Sequence, residues 1–209
     1  MEIVTVETPQ PAGPDLRERT RRAVRAELTD VAMDLFLRKG FEATTVDEIA
    51  AAAGISRRSL FRYFASKEAI IFESLQDIGV QLAEALAARP RTEDPWTALR
   101  RTFDLITAFN RDDPERTLAF YAMVEETTAL KARYYEQQMR WQEQLVPEVA
   151  ARLGTPEDGD EYGACAAGFV GAALACLYAA NNSWRHSQGK ADVARLLDDA
   201  MRTVRPGDF

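Results

Sequence analysis

Apolar residues recur at helical spacing through most of this chain. Leu28, Val31, Ala32, Leu35 and Phe36 line one face of a helix predicted from Leu16 to Lys39, and Gly40 ends it in a left-handed cap. Ile70, Ile71, Leu75, Ile78, Leu82 and Leu86 predict one long helix from Ser66 to about Ala88. Gly79 falls in its middle, at a propensity cost of roughly 1 kcal/mol relative to alanine. Arg89 to Asp94 reads as a linker between Pro90 and Pro95. Trp96, Leu99, Phe103, Ile106 and Asn110 then share one face of a helix ending near Asp112. Pro114 can open the next helix, which carries Leu118, Phe120, Tyr121, Met123 and Val124. Another starts near Leu130 with Tyr134, Tyr135, Met139, Trp141 and Leu145, and Pro147 is expected to kink or restart it before Gly154.

Thr155 to Asp160 reads as a polar loop, and the stretch Ala164 to Ala180 carries no charge. That stretch is short for a membrane span and rich in Ala and Gly, so it predicts a helix buried on all sides. A subunit interface achieves this most easily in a chain of 209 residues. Asn181 to Gly189 reads as a loop. The last helix, about Ala191 to Val204, has a stripe of Val193, Leu197, Ala200 and Val204. Runs of β-branched and aromatic strand formers are missing, so the fold class is all-α. Residues 1–15, with Pro9, Pro11, Gly13 and Pro14, read as a mobile arm.

The segment Thr45 to Glu68 departs from plain periodicity. Thr45 and Glu48 form a capping box, Gly54 stops the helix that follows, and Ser56 caps the next one. Ile55 and Leu60 hold the staple positions around Ser56. Two short helices with so tight a turn make a helix-turn-helix. Arg57 and Arg58 occupy the first turn of the second helix, where the helix dipole disfavours cations. No acid lies between Gly54 and Lys67 to offset them, and Arg62 extends the basic face. An anionic partner resolves the conflict, and the DNA major groove accepts such a helix. A solvated basic turn is the bland alternative.

The string T-V-x-x-I-A-x-x-A-G-I-S-x-x-x-L-F-x-Y-F-x-S-K-E, complete from Thr45 to Glu68, resembles the DNA-binding domain of the TetR/AcrR family of bacterial transcriptional regulators. The wider likeness runs from near Arg17 to near Ile71, about a quarter of the chain. It implies a helix-turn-helix DNA-binding domain of three helices over residues 16–66. It implies a helical ligand-binding and dimerisation domain over residues 67–209. By that likeness Arg57, Arg58 and Ser59 face base edges or phosphates, and Phe61, Arg62 and Tyr63 touch bases or the backbone. Thr45 and Lys67 are expected on phosphates. An effector cavity is expected among Trp96, Phe103, Phe120, Tyr121, Val124, Tyr135, Met139 and Phe169. With this C-terminal half, the string is similar to the mycofactocin-type subgroup, whose regulators respond to long-chain acyl-CoA. The expected function is a repressor released from a palindromic double-stranded DNA operator by a small apolar or amphipathic effector, acting as a homodimer.

Charge sharpens this reading. The net charge is −7, yet residues 1–67 carry +1 and the remainder −8. Basic groups cluster at Arg17, Arg19, Arg21, Arg22 and Arg25, and again at Arg57, Arg58, Arg62 and Lys67. Focused charge on an acidic body predicts local phosphate contacts with weak general affinity for nucleic acid. An enzyme would need a positioned nucleophile, base or metal. One histidine, His186, and two cysteines eleven residues apart, Cys165 and Cys176, offer none, and the adjacent Glu125 and Glu126 point in different helical directions. No catalytic residue, metal or cofactor is expected. Both cysteines are expected reduced and buried, and His186 in a polar turn. The first residues lack a signal-peptide pattern, so a cytoplasmic location without membrane association is expected. The competing reading is a helical small-molecule binder without DNA function.

Overall fold

The computed structural model describes residues 16–154 and 160–205; the predicted arm and most of the loop after Gly154 lie outside them. Among the described residues there are eleven helices and no strand. They are α1 (Leu16–Lys39), α2 (Val46–Ala52), α3 (Arg57–Tyr63), α4 (Lys67–Ile71), α5 (Glu73–Ala88) and α6 (Pro95–Thr102). They continue as α7 (Asp104–Asp112), α8 (Pro114–Glu126), α9 (Thr128–Arg152), α10 (Asp160–His186) and α11 (Val193–Val204).

The first three helices form where their local signals place them. Gly40 and Gly54 take the positive φ values, +85° and +66°, that end α1 and precede α3. Ser56 and Ser66 accept the backbone N–H of Ser59 and Ala69, capping α3 and α4. Leu28, Ala32, Phe36, Ile49, Leu60, Phe64 and Ile70 close one core between α1 and α4. The predicted helix from Ser66 to Ala88 is two helices. Phe72 takes φ −91°, ψ 3° at the break, with its ring buried. Across the break, Gln137 and Trp141 of α9 both donate to the Leu75 carbonyl, at 3.3 and 3.1 Å. Tertiary bonds thus fix the first turn of α5, while the apolar period runs on unchanged through the break.

Two further boundaries differ from the sequence reading. Phe103, fully buried with φ −72°, ψ −5°, separates α6 from α7 inside what reads as one helix. The polar run after Ala180 is helical, not a loop: α10 continues to His186. Asn181 sits inside, where its Oδ1 accepts from buried Asn110 Nδ2 at 2.8 Å. Pairing removes the penalty of burying either amide. Pro147 lies within α9 without ending it, so no restart occurs there.

The C-terminal unit is a bundle in which α10 packs between α9 and α11, and α5 lies against α9. Arg152 closes one end. Its guanidinium donates to the carbonyls of Leu86, Arg89 and Pro90 at 2.7–2.9 Å, satisfying the end of α5. Arg100, 4 % exposed, ties α6 to α7 and α11 through Asp104 and Asp198. Within α10, the stretch Gly163–His186 is long and apolar enough to cross a membrane, so shortness no longer argues against a span. Its packing does. Ala166, Val170, Ala173, Leu174, Leu177 and Ala180 are buried against neighbouring helices. Cys176 shares that face, where burial pushes its thiol pKa up. Cys165 is exposed instead, together with the neighbouring Gly163 and Ala164 near the start of α10. His186 ends α10 exposed, with Nδ1 2.7 Å from the Asn182 carbonyl oxygen.

Candidate nucleic-acid interface and effector region

The second helix of the helix-turn-helix presents Arg57, Arg58, Phe61 and Arg62 to solvent. Phe61 is 44 % exposed, a large apolar ring with no core to join. Ser59 and Tyr63 are half-buried, and the Ser59 hydroxyl lies 2.9 Å from Ser56 Oγ. The dipole conflict at Arg57 is partly answered within the chain. Asp47, on α2, accepts from Arg57 Nη1 at 3.2 Å, and the same guanidinium lies over the Phe61 ring at 5.6 Å. Both partners are more than half exposed, so the pair is weak and can exchange for another anion. A count of acids between Gly54 and Lys67 could not find Asp47, because it arrives from the preceding helix.

Thr45 and Lys67 hold the unit together. The Thr45 N–H donates to Glu48 Oε2 at 2.9 Å, and Thr45 Oγ1 accepts from the Glu48 N–H. A hydrogen bond from Lys39, then the one from the Thr45 N–H, lowers the Glu48 pKa to about 2. Lys67 donates to the Phe41 and Thr44 carbonyls, at 2.8 and 3.1 Å, with its ammonium 4.1 Å from the Phe41 ring centre. Two of its three donors are therefore engaged inside the unit.

The eight expected effector residues do not converge. Tyr121, Val124 and Tyr135 line a cavity between α8, α9 and α10 together with Tyr134, Tyr178, Asn181 and Arg185. Phe120 stands beside it, its ring 5.4 Å from Tyr121. Trp96 and Phe169 pair edge to face at 5.6 Å on the other side of the bundle, and Trp96 Nε1 donates to the Met201 carbonyl. Phe103 is plain core at the α6–α7 break. Met139 lies outside, 56 % exposed on α9. Helical period identifies apolar positions but not which of the two sides of α9 each faces. Nothing local distinguishes Tyr134, Tyr178 and Arg185, because tyrosine reads as core and Arg185 as loop.

The cavity is about 10 Å³, the size of one water. Burial raises the phenol pKa values of Tyr121 and Tyr134. A hydrogen bond with Tyr135 pushes that of Tyr178 up to about 12. The phenols therefore stay neutral and can both donate and accept. Glu125 sits at the edge, 2.8 Å from Lys131 and 3.7 Å from Arg185. Ring contacts run outward from this cluster through Tyr121 and Phe120 to Phe72, at the α4–α5 break. The wall helix α8 also reaches α1 directly, where Arg116 engages Asp30 and Asp34.

An arginine-bearing helix-turn-helix unit, mechanically joined to a helical bundle, defines a DNA-binding regulator. Comparison with known proteins agrees at both ends of the chain. Residues 28–73 match the model of bacterial regulatory proteins of the tetR family, and residues 93–208 match the MftR C-terminal domain. The transcriptional regulator TcmR of Streptomyces glaucescens is 34% identical over 170 residues, covering 77% of this chain and 75% of its own. The chain belongs to the TetR family of bacterial transcriptional regulators, and its function is regulation, not catalysis. The fold is shared with FadR from Bacillus subtilis, solved with stearoyl-CoA (TM-score 0.60, 15% identity, 88% of this chain and 99% of that one). It is also shared with Thermus thermophilus FadR, solved with lauroyl-CoA (TM-score 0.55, 21% identity, 88% and 95%).

Proposed function

We propose that the protein is a homodimeric repressor that leaves a palindromic operator when a small apolar or amphipathic ligand enters the tyrosine-walled region between α8, α9 and α10. The observation that carries this reading is α8 itself. One end holds Arg116 against α1, and the middle supplies Tyr121 and Val124 to the cavity. A ligand larger than water enters only if these walls part, so it distinguishes two conformations, as a regulatory ligand must. The half-buried ion pairs of Glu125 with Lys131 and Arg185, at the edge of the cavity, are the contacts that give way.

Dimerisation rests on an open stripe. Gly168, Ala175 and Ala179 of α10 are exposed along one line, and α11 leaves Leu196 and Ala200 half-buried and Val204 55 % exposed beside them. Two such pairs about a twofold axis make a four-helix bundle. A dimer sets two copies of α3 about 34–36 Å apart, one DNA turn, to meet both half-sites. A regulator that acts on DNA works in the bacterial cytoplasm, and that location is part of the proposal.

Paired titration tests the proposal. Ligands retained by the purified protein are identified by mass spectrometry, with stearoyl-CoA as a first probe. Operator affinity is measured with saturating ligand, and ligand affinity with saturating operator. Both should fall by one common factor, about 5- to 150-fold. A large effect in one direction with none in the other overturns the mechanism.

A further inference from the structure

A second hollow adjoins the tyrosine cavity where α10 ends. It is an open groove of about 450 Å³, within the usual range of roughly 300–1,000 Å³ for ligand sites. Leu118, Ala119 and Ala122 of α8 form one wall, and Arg185, His186 and Gln188 form the other. The cavity takes Tyr121, Val124 and Glu125 from the neighbouring strip of the same helix. Arg185 lines both spaces, so its side chain lies between them.

Three contacts hold that side chain, and each is weak. Its guanidinium stands 3.7 Å from Glu125 Oε1 and donates to Asn182 Oδ1 at 3.4 Å, near the limit of a hydrogen bond. It also lies 5.7 Å from the centre of the Tyr121 ring. Glu125 has a better partner in Lys131, at 2.8 Å, so its carboxylate stays paired when Arg185 swings away. The arginine is already partly in solvent and leaves no buried charge behind. Displacing it turns a water-sized cavity into the inner end of the groove.

The inner end has a distinct chemistry. Tyr121 meets Tyr134 at 84°, and Tyr134 meets Tyr135 at 64°, so the rings turn both edges and faces to one another. Another aromatic ring finds edge-to-face partners in such a set. The phenols also hydrogen-bond in pairs, Tyr121 with Tyr134 and Tyr135 with Tyr178. A saturated chain that parted them would leave hydroxyl groups unpaired, whereas a hydroxylated ring would restore their bonds.

We propose that Arg185 is a movable partition, and that cavity and groove joined form one site for an uncharged aromatic ligand carrying hydroxyl groups. This rests on the effector region proposed above and narrows its ligand and its route of entry.

The test uses the full chain without DNA. Isothermal titration compares naphthol with its saturated counterpart decalol and with naphthalene. Naphthol should bind saturably, one per chain, and roughly tenfold tighter than either. Stopped-flow mixing then reads the partition. Arg185→Ala should speed naphthol entry about tenfold, because no side chain has to move first. Ala122→Trp fills the groove from an exposed position and should slow entry by as much. Damage to the fold would not drive the two variants in opposite directions. Entry rates unchanged in both variants overturn the partition, and decalol or naphthalene binding as tightly as naphthol overturns the ligand class. Absence of saturable naphthol binding overturns the whole proposal, whereas the effector reading is judged by the paired titration with operator.

Discussion

Arg116 of α8 donates to Asp30 of α1 at 3.0 Å, and its other terminal nitrogen donates to Asp34, one turn further along, at 3.2 Å. The two carboxylates share a face of α1 and are met by one fork. Arg116 is about a third exposed and the carboxylates more so, so these bonds contribute little to stability, about 0–1 kcal/mol. Their position matters more, because α8 lines the tyrosine cavity five residues later. Arg116→Ala should shift the melting temperature by a few degrees at most, yet reduce the effect of ligand on operator affinity. Paired titrations on the variant check this, and undiminished coupling would place the transmission elsewhere.

The Asp47–Arg57 pair makes a second expectation. Asp47 holds Arg57 at the surface where DNA is expected, and repels phosphate itself. Asp47→Asn should tighten binding to operator and to unrelated DNA alike. If the released Arg57 takes a phosphate, the salt slope steepens by about 0.9. Arg57→Ala with Arg58→Ala should act in the opposite direction. Each bidentate arginine–guanine pairing it removes should reduce discrimination between sequences by roughly 1–3 kcal/mol. Operator affinity unchanged in that double variant would remove α3 from the interface.

The legible parts of this chain were those whose cause is local. Thr45, Ser56, Ser66, Gly40 and Gly54 act within four residues of themselves, and α1 to α3 follow from them. The parts that escaped depend on partners far along the chain. Phe72 breaks a helix whose next turn is held by Gln137 and Trp141. Asn181 stays helical and buried because Asn110 meets it from 71 positions away. The aromatic set is divided for the same reason: Trp96 meets Met201 and Phe169, while Tyr135 meets Tyr178.

Glu48 gives the helix-turn-helix a pH dependence of known sign. Its folded pKa, about 2, lies below the ordinary carboxylate value of 4.5 because Lys39 and the Thr45 N–H favour the anion. A depressed folded pKa contributes stability above the unfolded value, which is lost as pH falls toward the folded one. The window is therefore pH 4.5 down to about 2. Glu48→Gln should melt below the wild type at neutral pH, and the gap should close across that window. Thermal melts at stepped pH read it, and a gap constant down to pH 2 would contradict the assignment.

The two small residues of α10 separate a subunit contact from an internal one. Ala175 is exposed on the open stripe. Gly171 faces α9, where an added Cβ would lie 3.6 Å from Gln142 Nε2. Ala175→Glu leaves a charge in water on a monomer but buries it in the proposed dimer, at a high cost. It should sediment as a folded monomer. Gly171→Glu should instead lower stability. A stable wild-type monomer at micromolar concentration would remove the dimer from the proposal.

Gly79 tests whether packing or propensity decides α5. By propensity alone, Gly79→Ala in mid-helix should stabilise by roughly 1 kcal/mol. The structure predicts the opposite sign. A Cβ there would lie 2.6 Å from Trp141 Cδ1 and 2.9 Å from its Nε1, closer than real contacts allow, and 2.2 Å from Gln144 Oε1. The Gln144 amide can swing away. The Trp141 indole cannot do so freely, because it is 4 % exposed and its Nε1 donates to the Leu75 carbonyl at 3.1 Å. Moving it breaks the bond that fixes the start of α5, next to the break at Phe72. Overpacking of this kind costs about 1–3 kcal/mol, which exceeds the propensity gain. Gly79→Ala should therefore unfold at lower denaturant, and its indole fluorescence should report a displaced Trp141. A paired substitution, Gly79→Ala with Trp141→Phe, relieves the clash and should recover part of the loss beyond the sum of the single effects. A single variant more stable than the wild type would show that α5 and α9 do not pack this closely.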